Sequence, residues 1–74
     1  MTPQERAAVN RLCMTGDARR LRQSLGLTLR DIAHACGVSV PAVSLWERGQ
    51  RLPSAARAEK LATVFADLLR DSQR

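Results

Sequence analysis

The residues of this sequence that could do chemistry are mainly arginines. Of 12 basic residues 11 are Arg and one is Lys, against 7 acidic residues, which gives a formal net charge of +5. Arginine carries a permanent charge on a planar fork that fits phosphate groups and the edge of guanine. The charge favours a polyanionic partner over a membrane, since no long basic amphipathic helix is present. A GC-rich coding sequence would also produce heavy use of Arg and Ala, so the charge alone leaves both explanations open.

The other reactive side chains do not form a catalytic or metal-binding set. His34 is the single histidine, and Cys13 and Cys36 are the two cysteines. Because His34 and Cys36 lie two positions apart on a predicted helix, they point in different directions and cannot chelate together. The sequence has no Ser-His-Asp candidate, no carboxylate pair on a shared face and no glycine-rich phosphate loop. We expect no enzymatic activity, no metal and no cofactor, with both cysteines acting as small core residues.

The length bounds the architecture and its support. A chain of 74 residues accommodates one domain, which buries only roughly 60% of the surface that its unfolded chain exposes. With neither a disulfide nor a metal expected, a partner subunit is the favoured source of extra stability. No apolar run resembles a signal peptide or is long enough to cross a membrane. We therefore expect a cytoplasmic protein.

Capping and turn residues divide the sequence into five short helices, and no alternation typical of strands is present. Glycines at positions 16, 26, 37 and 49 stand where helices end. The predicted helices are Pro3–Met14, Ala18–Ser24, Leu29–Cys36, Val40–Arg48 and a last one from after Ser54 to about Leu69. Their predicted N-caps are Thr2, Asp17, Thr28, Ser39 and Ser54. This pattern predicts an extra N-terminal helix (residues 1–16), a main domain (17–69) and a frayed tail (70–74).

The joint between the third and fourth helices is the most informative local feature. Only Gly37, Val38 and Ser39 separate them, and a turn this short with a left-handed glycine fixes two helices at a steep angle. The small side chain of Ala33 permits their close approach. A helix projecting from such a pair fits the major groove of DNA, which is about 12 Å wide. Short pairs of this kind also occur as plain packing motifs, so the spacing alone leaves both interpretations open.

Four short motifs between Leu27 and Ser54 extend this pattern. They are Ile32-Ala33, Gly37-Val38-Ser39, Ser44-x-Trp46-Glu47-x-Gly49 and Pro53-Ser54, with Leu21-Arg22 before them and Leu61-Ala62 and Phe65 after them. Together they resemble the Cro/C1-type (XRE) family of phage and bacterial repressors over about residues 18–69. The resemblance implies an all-α, compact, lambda-repressor-like helix-turn-helix domain of about five short helices, including the extra N-terminal one. It also implies a transcriptional regulator that binds double-stranded DNA, a repressor, and the homodimer expected from the last helix would bind a palindromic operator.

The resemblance further implies roles for individual residues. The positions matching the base-reading face are Ser39, Val40, Pro41, Ser44 and Leu45. Those matching contacts to the DNA backbone, or to guanine, are Arg22, Thr28, Leu29, Arg30, Arg48, Gln50 and Arg51. Arg22 and Glu47 match a structural ion pair that braces the recognition helix. Trp46 shares the inward stripe with Val43, so we expect it to pack in the core rather than stack on bases.

The reading face departs from the family pattern. Many relatives carry Gln, Asn or Arg where this chain has Val40, Pro41 and Leu45, so bidentate bonds to bases are missing there. Contacts with thymine methyl groups, the hydroxyls of Ser39 and Ser44, an arginine and DNA shape would remain, which predicts modest selectivity. The apolar face also suits a protein groove, and the alternative is an antitoxin-like or adaptor module with a protein partner.

The two end helices have their own expected roles. The N-terminal helix could cover the core, extend a dimer interface or form a solvated arm, and packing on the core is favoured. The last helix carries Val64 and Leu68 beyond what one small core needs. We expect this surplus to form a homodimer interface.

Overall fold

Five helices make up the part of the chain that the computed structural model describes, which is the backbone of residues 1–72 with side chains through Asp71. The helices are α1 (Pro3–Thr15), α2 (Asp17–Ser24), α3 (Leu29–Cys36), α4 (Val40–Glu47) and α5 (Ala55–Ser72). Residues 1–72 contain no strand, and the predicted all-α fold of five short helices is confirmed. None of these helices combines the length and apolar character needed to span a bilayer.

Local capping explains where most of the helices begin. At α3, the Asp31 N–H donates to Thr28 Oγ1 at 3.1 Å, while the Thr28 N–H donates to Asp31 Oδ2 at 2.9 Å. These reciprocal bonds form a capping box, and the bond that the Thr28 N–H donates to the carboxylate lowers the pKa of the Asp31 carboxyl. Thr2 forms a second capping box with Glu5 at α1. The caps predicted at Ser39 and Ser54 are also present, each accepting a backbone N–H at 3.3 Å.

The predicted cap of α2 at Asp17 is wrong. Gly16 is the N-cap, with φ of 83°, and Asp17 is already the first helical residue. Because one left-handed glycine joins α1 directly to α2, no position remains for a capping side chain. The Asp17 carboxylate instead accepts a hydrogen bond from Arg20 Nε at 3.1 Å, and its bonds to Arg20 lower the pKa of this carboxyl.

Helix α5 is longer than the sequence pattern indicates. It continues through Ser72 rather than ending near Leu69, so residues 70–72 of the expected frayed tail are helical. Arg70 pairs with Asp67 one turn earlier, and a basic side chain in the last turn is favourable to the helix dipole. Residues 73–74 of the expected tail lie outside the described residues.

The helices share an apolar core to which α1 contributes directly. Val9 and Cys13 of α1 are buried against it, which confirms that the N-terminal helix packs on the domain. Trp46 is only 4% exposed, so its predicted packing role is confirmed. The remaining buried apolar residues are Ala18, Ile32, Ala33, Cys36, Val43, Ala58, Leu61 and Phe65.

Both cysteines are free thiols with no exposed surface. Burial raises the pKa of Cys13 to about 11, and the nearby negative charge of Glu47 adds to the rise. Burial also raises the pKa of Cys36, against the opposing charges of Lys60 and Arg57. Both thiols therefore remain neutral at physiological pH, which agrees with their predicted role as small core residues.

Candidate nucleic-acid interface

The turn between α3 and α4 has the predicted glycine geometry. Gly37 adopts φ of 70°, in the left-handed region, and its N–H donates to the His34 carbonyl at 3.3 Å. The Val38 N–H reaches back to the Ala33 carbonyl at 3.0 Å. These two bonds form a Schellman-type C-cap that ends α3. The chain then turns extended at Ser39 and enters α4 within two residues, which produces a helix-turn-helix pair.

Helix α4 divides into a buried face and an outward face. Val43 and Trp46 are buried, whereas Ser39, Val40 and Pro41 at its start are exposed. Ser44 and Leu45 are half-buried at the edge of the same outward face. The helical period therefore places the five predicted reading positions on the side of α4 away from Val43 and Trp46, three at its start and two a turn later. That surface offers methyl groups and two hydroxyls, with the Ser39 oxygen accepting the Ala42 N–H.

The predicted backbone-contacting positions other than Arg22 lie at the start of α3, at the end of α4 and in the loop after α4. Arg30, Arg48, Gln50 and Arg51 are exposed, Thr28 is the exposed cap of α3, and Leu29 is half-buried in its first turn. The loop after α4 is held in place because the N–H groups of Gln50 and Arg51 both donate to the Leu45 carbonyl, at 3.0 and 3.4 Å. An exposed arginine such as Arg51, on a loop that backbone hydrogen bonds keep in one conformation, is suited to contact a phosphate backbone.

A buried ion pair fastens the end of α4 to α2. Arg22 Nε donates to Glu47 Oε2 at 2.6 Å, and Arg22 Nη2 donates to Oε1 at 3.2 Å. The side chains are only 10% and 8% exposed. Arg22 Nη1 also donates to the Leu27 carbonyl at 2.9 Å, which ties in the segment before α3. This bidentate geometry is the strongest form of a side-chain ion pair, and it fixes α2, α4 and the start of α3 relative to one another.

A small cavity beside this ion pair is lined by Arg19, a candidate site residue that the sequence analysis did not predict. It has a volume of about 180 Å³ and is lined by Arg19, Arg22, Leu29, Ser44, Glu47 and Arg48. Three guanidinium-bearing residues line it with one carboxylate-bearing residue, so its electrostatic balance favours an anion. Arg19 stands three residues before Arg22, hence on the same side of α2, and this spacing was the signal that could have found it.

We predict that Glu47→Gln lowers the free energy of unfolding by about 3 kcal/mol, because it leaves the buried Arg22 charge without its counter-ion. Urea denaturation measures this change. The control is Asp67→Asn, which breaks an exposed pair with Arg70 and is expected to cost less than about 1 kcal/mol. A loss at Glu47 no larger than the loss at Asp67 would contradict a structural role for the buried pair.

The sequence matches a known family across the region that holds this site. The helix-turn-helix family profile matches residues 19–66, which contain α3, the turn, α4 and most of α5. The HTH-type transcriptional regulator DdrOP3 of Deinococcus deserti is 43% identical over 53 residues, which cover 72% of this chain. No solved structure matches the chain.

The match to DdrOP3 is partial on the side of the relative, since it covers 41% of that protein's length. Within this chain, however, the family profile covers more than half of the residues and coincides with the observed helix pair. The chain therefore belongs to the Cro/C1-type (XRE) helix-turn-helix family of transcriptional regulators.

Proposed function

We propose that this protein is a sequence-specific double-stranded DNA-binding regulator that represses transcription from the cytoplasm as a homodimer on a palindromic operator. The observation that carries the proposal is the exposed outward face of α4, whose last residue is held by the buried Arg22–Glu47 pair. Arg19 and Arg48 line a cavity with Ser44 of this helix. The Deinococcus relative is named as a transcriptional regulator, which supports the regulatory part of the proposal. In this proposal the protein binds and does not catalyse.

In the proposed complex, α4 lies in the major groove and α3 crosses the backbone with its N-terminus at a phosphate. The cavity lined by Arg19, Arg22 and Arg48 suits one phosphate group of the DNA backbone. Thr28, Leu29 and Arg30, at the start of α3, are further backbone contacts in this proposal. Gln50 and Arg51 contact the backbone from the loop after α4. These contacts set affinity and register without reading sequence.

Base reading in this proposal depends on shape and methyl contacts. Val40, Pro41 and Leu45 contact thymine methyl groups, while the hydroxyls of Ser39 and Ser44 bond to base edges. Arg30 or Arg48 supplies a guanine contact. Because apolar contacts discriminate less than bidentate amide or guanidinium bonds, the selectivity is modest and DNA deformability adds to it.

We predict that affinity for duplex DNA falls at least about tenfold between low and physiological salt, because phosphate contacts release counter-ions. Fluorescence anisotropy over a salt series measures the slope. Arg51→Gln is expected to reduce this slope by about 0.9, the value for one lost phosphate contact. The control is Gln4→Glu on α1, which changes the net charge by the same amount and should leave the slope unchanged. A partner-binding module that docks apolar residues such as Val40 and Pro41 in a protein groove would show little salt dependence.

The placement of base reading makes a separate prediction. Single changes Val40→Ala and Ser44→Ala should alter the sequences recovered when genomic fragments are selected on the purified protein, since each removes one proposed base contact. Sequencing of the retained fragments measures the change. Thr63→Ala on α5 is the control for a loss of side-chain atoms away from α4. Unchanged selectivity in both α4 variants would place base reading elsewhere.

The homodimer is proposed on the surface of α5 that carries Val64 and Leu68. Both side chains are half-buried in the monomer, and Val64 lines a shallow hollow with Ala35 and Thr63. A two-fold dimer would present two copies of α4 to half-sites about 34 Å apart.

We predict that Leu68→Glu converts a dimer to a monomer, because it places a charge in the proposed apolar interface. Sedimentation velocity at high micromolar concentration measures the mass, and circular dichroism checks that the variant is folded. Gln4→Glu adds the same charge on α1 and should leave the mass unchanged. A wild-type monomer at that concentration, and again on operator DNA, would rule out the dimer.

A further inference from the structure

Arg57 joins the start of α5 to the turn between α3 and α4, and no contact proposed above uses it. It is the third residue of α5 and is half-buried. Its Nη1 donates to the carbonyl oxygen of Cys36, the last residue of α3, at 3.0 Å. Because the two residues are 21 positions apart, this bond links separate parts of the fold.

The Cys36 carbonyl needs a donor from outside α3. The N–H groups of Gly37 and Val38 are directed to carbonyls within α3, those of His34 and Ala33. A cationic donor also lies favourably at the negative end of the helix dipole, and a charge-assisted bond is about twice as strong as a neutral one. The Arg57 bond therefore stabilises the turn where the direction of α4 is set.

The guanidinium lies close enough to Gly37 to form part of the turn. A Cβ atom built on Gly37 would lie 3.3 Å from Arg57 Nη1, which is tighter than ordinary van der Waals contact. The backbone of Arg57 is itself fixed, since its N–H donates to the Ser54 capping oxygen at 3.3 Å. Arg57 thus connects two anchored points, the first turn of α5 and the end of α3.

Helix α4 is consequently held near both ends by arginines from other helices. Arg22 binds Glu47, its last residue, and Arg57 binds the carbonyl of Cys36, four positions before its first residue, Val40. Eight helical residues span about 12 Å, so a tilt of about 5° at one end displaces the other end by about 1 Å. Groups that must meet their partners within about 0.5 Å would be misplaced by such a tilt.

We propose that Arg57 is a positioning residue for base reading: it sets the angle at which α4 leaves the turn, without contacting DNA. This inference rests on the proposed DNA-binding function. It concerns base-specific affinity rather than the phosphate contacts, which the exposed arginines supply. Loss of Arg57 therefore weakens binding to the operator more than binding to unrelated DNA.

The first test does not involve DNA. Arg57→Met keeps the side-chain stem but removes the donors, Arg57→Lys restores a cationic donor, and Arg6→Met removes a charge from the exposed face of α1. Amide hydrogen exchange followed by NMR compares Val38 in the turn with Leu61 in the core. We expect Arg57→Met to speed amide exchange at Val38 about tenfold relative to Leu61. Arg57→Lys should restore most of the protection at Val38, and Arg6→Met should change neither exchange rate. Unchanged relative exchange at Val38 overturns the proposal.

The second test compares a selected operator with unrelated DNA of equal length. Arg57→Met should lower the ratio of the two affinities about tenfold with the salt slope unchanged, while Arg57→Lys restores the ratio and Arg6→Met retains it. An unchanged ratio, or a slope reduced by about 0.9 as for a lost phosphate contact, overturns the positioning role. Failure of the wild type to bind DNA would contradict the proposed function itself, and the exchange rates would still decide whether Arg57 holds the turn.

Discussion

The buried ion pair between Arg22 and Glu47 is the constraint on which the arrangement of the other helices depends. Both charged groups are almost fully removed from water, which is costly unless each finds its partner with good geometry. That geometry is available only when α2, the end of α4 and the Leu27 carbonyl occupy their observed positions. Displacing α2 from the end of α4 would leave a buried charge without its partner, so the pair opposes such a displacement.

The fold distributes its contacts so that α4 keeps one face free. Helices α1, α2, α3 and α5 all contribute buried residues to the core, and α4 contributes Val43 and Trp46 from its inner face. The orientation of the outer face is then set by the contacts near the two ends of α4 rather than by a second layer of packed side chains.

Much of this structure could be predicted because the signals are local. The bounds of α3 follow from Thr28 and Gly37, which act within one turn of the residues they cap. The joint at Gly16 could not be read correctly, since Asp17 is equally suited to capping and to the first helical turn. Arg57 acts across the fold, on a carbonyl 21 positions away, where no helical period identifies it. The partners Arg22 and Glu47 could be named only through the resemblance to a family, because no spacing rule pairs residues that are 25 positions apart.

The burial of Trp46 has a consequence for how this protein can be observed. The sequence has one tryptophan and no tyrosine, so its near-ultraviolet emission comes from a single indole. That indole lies on the inner side of α4, in the core and shielded from solvent quenchers. The protein thus carries a built-in fluorophore in its projecting helix, whose emission wavelength reports whether that helix is seated or loosened.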